Sequence, residues 1–323
     1  HSGTLRSIRR AKAATDPAVE AITSIIHEAA RTQTRHLVLL TGVPGAGKTL
    51  VGLRIAHAHF LDDLAVDRGT GKPTAPAVFL SGNGPLVEVL QYELRGGGGA
   101  GKTFVRGVFD YVNTYSRGRK AVPPEHVLVF DEAQRAFDAE QVRDKHSNTA
   151  GFEGGKSEPE HFIEFADRIP KWCVVIGLIG SGQEIHVGEE AGVGQWREAV
   201  AGARDPAEWK VHGPAEVQRA MEDGTVGFHA NDRLSLDTEI RFHLATDLHA
   251  FVAGLLDHAE ADVNRALARQ LECQGYHLRI TRNFETAAGY LKERYAEHPD
   301  ARYGLLASSK DKDLVRFGVK NDF

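Results

Sequence analysis

Two stretches of this chain fit the phosphate-binding pattern G-x-x-x-x-G-K-[ST]: GVPGAGKT at residues 42–49 and GGGGAGKT at residues 96–103. Such a loop binds a nucleotide when a strand delivers the chain to a tight glycine turn. Backbone N–H groups then wrap the phosphates, and the next helix points its N-terminus at them. The first stretch follows the apolar run HLVLL and precedes a helical pattern. The second follows a helical pattern with no strand before it, and its four consecutive glycines resist preorganisation. The first is therefore the expected nucleotide site, comprising Gly42, Pro44, Gly45, Ala46, Gly47, Lys48, Thr49 and Leu50. Lys48 would reach the β- and γ-phosphates, and Thr49 would place its hydroxyl on Mg²⁺. The second reads as a surface loop, with phosphate contact by Lys102 and Arg106 as its minor alternative.

Hydrolysis needs a further Mg²⁺ contact and a group that orients water. In HVLVFDEAQR a buried strand ends in Asp131 and Glu132, so both carboxylates emerge at its C-terminal edge, where ligands bind in parallel sheets. Asp131 is the expected metal residue beside Thr49, and Glu132 the expected general base. Alone, such a pair could simply cap the next helix. CVVIGLIGSGQEI repeats the geometry and presents Gln183, whose amide could sense the γ-phosphate or its water; a polar turn residue is the plainer reading.

These residues need elements to hold them. Apolar runs at 36–41, 77–80, 126–130 and 172–179 read as strands, as do YHLRI at 276–280 and YGLLA at 303–307. Helical periodicity marks 17–31, 50–61, 85–95, 246–259 and 285–296, while 201–235 shows no clean period. Alternating strands and helices imply an α/β fold, a parallel sheet flanked by helices. The 323 residues carry a net charge of −5, which argues against a surface coated in basic charge. Two distant cysteines, Cys173 and Cys273, make neither a disulfide scaffold nor a metal site. No apolar run spans a membrane, and a cytoplasmic location is the expectation.

The set GVPGAGKT, FLSGNGPLVEVL, VLVFDEAQR, IGSGQEI and LDTEIRFH, in this order, resembles the superfamily 1 helicase core. It is most similar to the Schlafen group 3 DNA/RNA helicase domain, over residues 35 to 323. The resemblance implies a helical lead-in at 1–34, a RecA-like P-loop NTPase domain at 35–236, and the start of a second RecA-like domain at 237–323 that reads as truncated. It implies ATP and Mg²⁺ as ligands and single-stranded DNA or RNA as partner. Ser81, Gly82 and Asn83 fall at its strand-contacting segment. Arg241 falls at the arginine that reaches the γ-phosphate from the second domain; without the resemblance, Arg241 reads as a surface ion pair.

Other short matches carry less. HEAAR at His27 has Arg31 where a second zinc ligand must stand, and EHPD at 297–300 reads as a helix end before proline. The clusters RSIRR and YSRGRK are either solvated faces or phosphate contacts. Two function classes follow: an ATP-driven motor on single-stranded nucleic acid, or a nucleotide-dependent switch that controls a partner or effector domain without unwinding.

Overall fold

RHLVLLTG, the run that enters the glycine loop, forms strand β1 (Arg35–Gly42), with every residue after Arg35 buried. A strand buried on both faces belongs in the middle of a parallel sheet, and β1 sits there. The structure is a computed structural model that describes residues 2–43, 45–57, 59–65, 75–95, 101–116, 121–135, 155–180, 190–221, 226–236, 246–256, 261–297, 304 and 313–315. These fall into two units, His1–His243 and Leu244–Phe323.

The first unit opens with helix α1 (Ser2–Thr32), then β1 and α2 (Lys48–His57). Next come β2 (Ala77–Ser81), α3 (Gly84–Arg95), a short α4 (Gly101–Phe104), β3 (Val105–Gly107) and α5 (Val108–Ser116). β4 (Val127–Phe130), α6 (Glu158–Arg168), β5 (Cys173–Gly180) and α7 (Glu190–Ala201) follow. The unit closes with β6 (Trp209–Gly213), α8 (Ala215–Met221), β7 (Gly227–Ala230) and β8 (Ser235–Leu236). The eight strands form one sheet in the order β3-β2-β4-β5-β1-β6-β7, with β8 paired to the end of β1. Every pairing is parallel. This is the expected α/β, RecA-like arrangement.

Alternation along β1 builds two cores. Leu37 and Leu39 join the core beneath α5, α6 and α7, which contribute Tyr111, Phe162, Phe165 and Trp196. Val38 and Leu40 face the other core, roofed by α1 and α2 through Ile22, Ile25, Ile26, Val51 and Ile55. α1 thus belongs to the same core as the sheet. Arg54 on α2 secures it, donating to Asp16 (2.7 Å) and to the buried Thr15 (3.0 Å). On the opposite face Arg35 donates to the carbonyls of Ala166 (3.1 Å) and Ile169 (3.1 Å), satisfying the open end of α6. The start of α6 carries a capping box formed by Ser157 and Glu160.

The second unit contains α9 (Thr246–Leu256), α10 (Ala261–Cys273) and α11 (Phe284–Arg294). α9 and α10 pack together, and Gln270 on α10 donates to Asp247 on α9 at 2.8 Å. α10 stops at Gly275, whose φ of 95° reverses the chain so that Tyr276 N–H returns to the Leu271 carbonyl. The strand expected at 276–280 is absent: those residues form no regular element, and Ile280 is 100% exposed. Among the described residues its apolar alternation meets no neighbouring strand. Of the strand expected at 303–307, only Gly304 lies within the described residues. Among the described residues, no helix of the chain is long and apolar enough to cross a membrane.

Candidate nucleotide site

At the carboxyl edge of β1 the chain turns sharply into α2. Gly45 and Gly47 hold φ of 84° and 101°, values that L-residues with side chains rarely adopt. The turn is closed by Ala46 N–H on the Val43 carbonyl (3.1 Å), and Val51 N–H starts the helix on the Gly47 carbonyl (2.9 Å). Lys48 is thus the first residue of α2, and its ammonium folds across the loop. It donates to the carbonyls of Gly42 (2.6 Å) and Val43 (3.1 Å). Burial pushes its pKa down, against the charges of Glu132 and Asp131. A phosphate at this ammonium would exchange those two carbonyls for charge-assisted bonds.

The loop is fixed from below by the last strand. β8 pairs with β1 at Thr41 and Gly42. A side chain at Gly42 would stand 2.9 Å from Leu236 Cβ and 3.1 Å from the Leu236 carbonyl. Thr41, 1% exposed, donates to the Glu216 carboxylate and lies 3.3 Å from Ser235 Oγ. The sequence reading did not single out these supports, because they come from a segment without a clean period.

β5 separates β1 from β4, so the acidic pair reaches the loop across one intervening strand. Asp131 caps the edge of β4, its N–H bonded to the Leu80 carbonyl (2.9 Å). Thr49 Oγ1 donates to Asp131 Oδ1 at 3.4 Å. The Asp131 carboxyl is 6% exposed, and its pKa rises to about 6. Burial is the main cause, then the charge of Glu132; Thr49 and Lys48 oppose them. A buried carboxylate and a hydroxyl converging from two elements, beside a lysine, suit a hard divalent cation that carries phosphate oxygens. Such a cation would also pull the Asp131 pKa back down.

Glu132 is exposed and takes a φ of 55°, a left-handed turn made by a residue with a full side chain. The turn is braced from three sides. Trp196 Nε1 on α7 donates to the Ala133 carbonyl (3.1 Å). Gly192 lies so close that a side chain there would meet the Gln134 carbonyl at 2.6 Å. Gln134 reaches back, its Nε2 donating to Glu132 Oε2 at 2.5 Å.

The remaining expected residues are placed as follows. Leu50 is on α2 and 38% exposed; Ala46 is buried in the loop. Ser81 ends β2 and is 2% exposed, with its hydroxyl accepting from Asn83 N–H (3.2 Å). Asn83 caps α3, accepting from Leu86 N–H (3.2 Å), and Gly82 is exposed between them. Pro44, Gln183 and Arg241 lie outside the described residues. In the second glycine-rich stretch, residues 101–104 form α4, which leads into β3 and follows α3 instead of a strand. Arg106, the alternative phosphate contact, is engaged inward: its guanidinium lies 3.3 Å from the fully buried Glu125 carboxylate.

A search among curated proteins returned no match. Residues 35–322 match the family described as Schlafen group 3, DNA/RNA helicase domain. That match spans most of the chain and contains the loop, the acidic pair and the whole sheet. The chain belongs to the Schlafen group 3 DNA/RNA helicase-domain family.

Proposed function

We propose that this helicase-like chain binds and hydrolyses ATP at the loop of residues 42–49, and that single-stranded DNA or RNA controls the reaction. One observation carries the reading: Thr49 from α2 and Asp131 from β4 approach to 3.4 Å beside Lys48, on one edge of a parallel sheet. The N–H groups of the glycine turn and the N-terminus of α2 wrap the phosphates. Lys48 leaves the Gly42 and Val43 carbonyls to pair with the β- and γ-phosphates. Thr49 and Asp131 would hold Mg²⁺, which would supply charge neutralisation on the phosphate oxygens. Glu132 accepts a proton from the attacking water, on a turn that α7 holds in place.

The other roles rest on the family match. Residues 35–236 form the ATPase domain and 237–323 open a second RecA-like domain. Gln183 senses the γ-phosphate, Arg241 stabilises its developing charge, and Ser81, Gly82 and Asn83 contact the strand. Gly82 and Asn83 are the exposed members of that trio, whereas Ser81 is buried and its hydroxyl already accepts from the Asn83 N–H.

ATP turnover with and without single-stranded DNA and RNA tests the proposal, with Lys48→Ala as the blank. Strand-stimulated turnover is expected. ATP binding without stimulation overturns the coupling and supports the nucleotide-dependent switch acting on an effector domain or partner. No ATP binding overturns the site itself.

A further inference from the structure

The amide of Gln134, in the DEAQR stretch, is bound at both ends. Gly180 N–H, at the end of β5, donates to Gln134 Oε1 at 2.8 Å. A backbone N–H can only donate, so the oxygen of the amide must face Gly180. The nitrogen must then face Glu132, and it donates to Oε2 at 2.5 Å. The orientation of this amide follows from its partners and is not a free choice. The contact links two elements 46 positions apart in sequence.

The surroundings leave room for the amide and for little else. Gly180 has no side chain; a Cβ there would stand 2.9 Å from Gln134 Nε2. Gly177, on the same strand, makes space for the turn: a Cβ would meet Ala133 Cβ at 3.1 Å. Gly192 and Trp196 hold the backbone of the turn from α7. Three glycines and an indole N–H thus place one amide against one carboxylate.

We infer that Gln134 is a positioning residue for hydrolysis: it binds one oxygen of Glu132 and ties that carboxylate to the end of β5, which sets the orientation of the carboxylate toward the attacking water. The inference rests on the reading of Glu132 as the base. A carboxylate on an exposed turn samples several rotamers, and a charge-assisted bond to an oriented amide selects one of them. Because the other end of the amide is the last residue of β5, a displacement there reaches Glu132 through a single side chain.

The test uses the full chain and three substitutions. Gln134→Met keeps the length and removes both hydrogen bonds. Gln134→Glu keeps an acceptor for Gly180 N–H and sets a carboxylate against Glu132. Gly180→Ala leaves Gln134 in place but pushes its Nε2 away; its backbone is not in the left-handed region, and the displaced atom is the end of a flexible chain. All three should lower kcat by about tenfold or more while KM for ATP, and the affinity for a fluorescent ATP analogue, change by less than about threefold. Gln134→Glu should lose at least as much as Gln134→Met. A merely structural anchor to β5 would behave differently: Gln134→Glu would keep activity, since the Gly180 bond survives. That result, or wild-type kcat in Gln134→Met, overturns the inference. Glu132→Gln, assayed alongside, keeps the two readings apart. If it retains turnover, the assignment of the base fails. If it abolishes turnover while the Gln134 variants remain active, the inference fails alone.

Discussion

Substituting Arg106 by methionine decides whether its charge serves the fold or a nucleic-acid strand. Arg106 Nη2 lies 3.3 Å from Glu125 Oε1, and Glu125 is 0% exposed. Tyr111, also buried, donates its hydroxyl to Glu125 Oε2 at 3.0 Å, and the Arg106 guanidinium lies 5.8 Å from the Tyr111 ring centroid. Without Arg106 the buried carboxylate keeps the phenol but loses this counter-ion. Breaking a buried pair from one side costs about 3–5 kcal/mol. The arginine side chain is 27% exposed, so solvent screens part of the pair and the lower figure, about 3 kcal/mol, is expected. For a unit of this size each kcal/mol moves the melting temperature by about 2–4 °C, so Tm should fall by about 6–12 °C. Thermal unfolding followed by circular dichroism reads this directly. Glu125→Gln, which removes the buried charge, should recover part of the loss in the double variant. A Tm within about 2 °C of wild type would refute the reasoning. So would a double variant whose loss equals the sum of the two single losses. Weaker strand binding at unchanged Tm would return Arg106 to a phosphate-contacting role.

Lys48→Ala should abolish ATP binding in a fluorescent-analogue titration, while Lys102→Ala, on α4, leaves affinity within about twofold; the reverse pattern would move the site to the second glycine-rich stretch. Glu132→Gln should retain ATP but lose turnover by at least about a hundredfold in single-turnover assays, and unchanged turnover refutes its role as base. Acid should weaken the first unit through two rings beside α1. His36 and His212 share a 2.9 Å hydrogen bond; burial, then the charge of Lys210, holds His36 at about 4, and burial, then His36 and His229, holds His212 at about 3. Glu28 opposes both shifts. The unfolded chain takes up protons near 6.5 and the folded chain does not, so stability is full above that value and falls as pH drops toward the folded values. Each ring should cost on the order of 2 kcal/mol between pH 7 and pH 5, and His212→Gln should flatten the dependence of the urea midpoint on pH. A midpoint that is constant over this range in wild type would contradict the assignment.

The central strands were legible because their burial is written into composition. RHLVLLTG and CVVIGLIG are apolar on both faces, as a doubly covered parallel strand requires. β6 and β7 were not legible. WKVHG carries Lys210 and His212, and their places depend on Glu28 at 3.0 Å and His36 at 2.9 Å, distant in sequence. GFHA is largely exposed at the sheet edge. Conversely, YHLRI has the alternation of a strand but pairs with no strand among the described residues, and pairing decides the matter. At the site, Lys48, Thr49, Asp131 and Glu132 follow from local motifs. Gln134 does not, because its role is defined by Gly180 N–H, and no local pattern announces a hydrogen bond to a strand still to come. Arg106 was misleading for the same reason: a cation beside glycines looks available for phosphate until Glu125 is found beneath it.

The position of β1 also has a consequence during synthesis. Its sheet partners, β5, β6 and β8, are all made more than a hundred residues after it. At ordinary elongation rates Arg35–Gly42 therefore waits on the order of ten seconds as a bare apolar segment. The β2–β4 pair can form in the meantime, but the contact of Leu236 with Gly42 beneath the glycine loop forms only once Leu236 has emerged. Nucleotide thus cannot guide the first steps of folding, and the nascent chain depends on α1 or a chaperone to cover this strand while it waits.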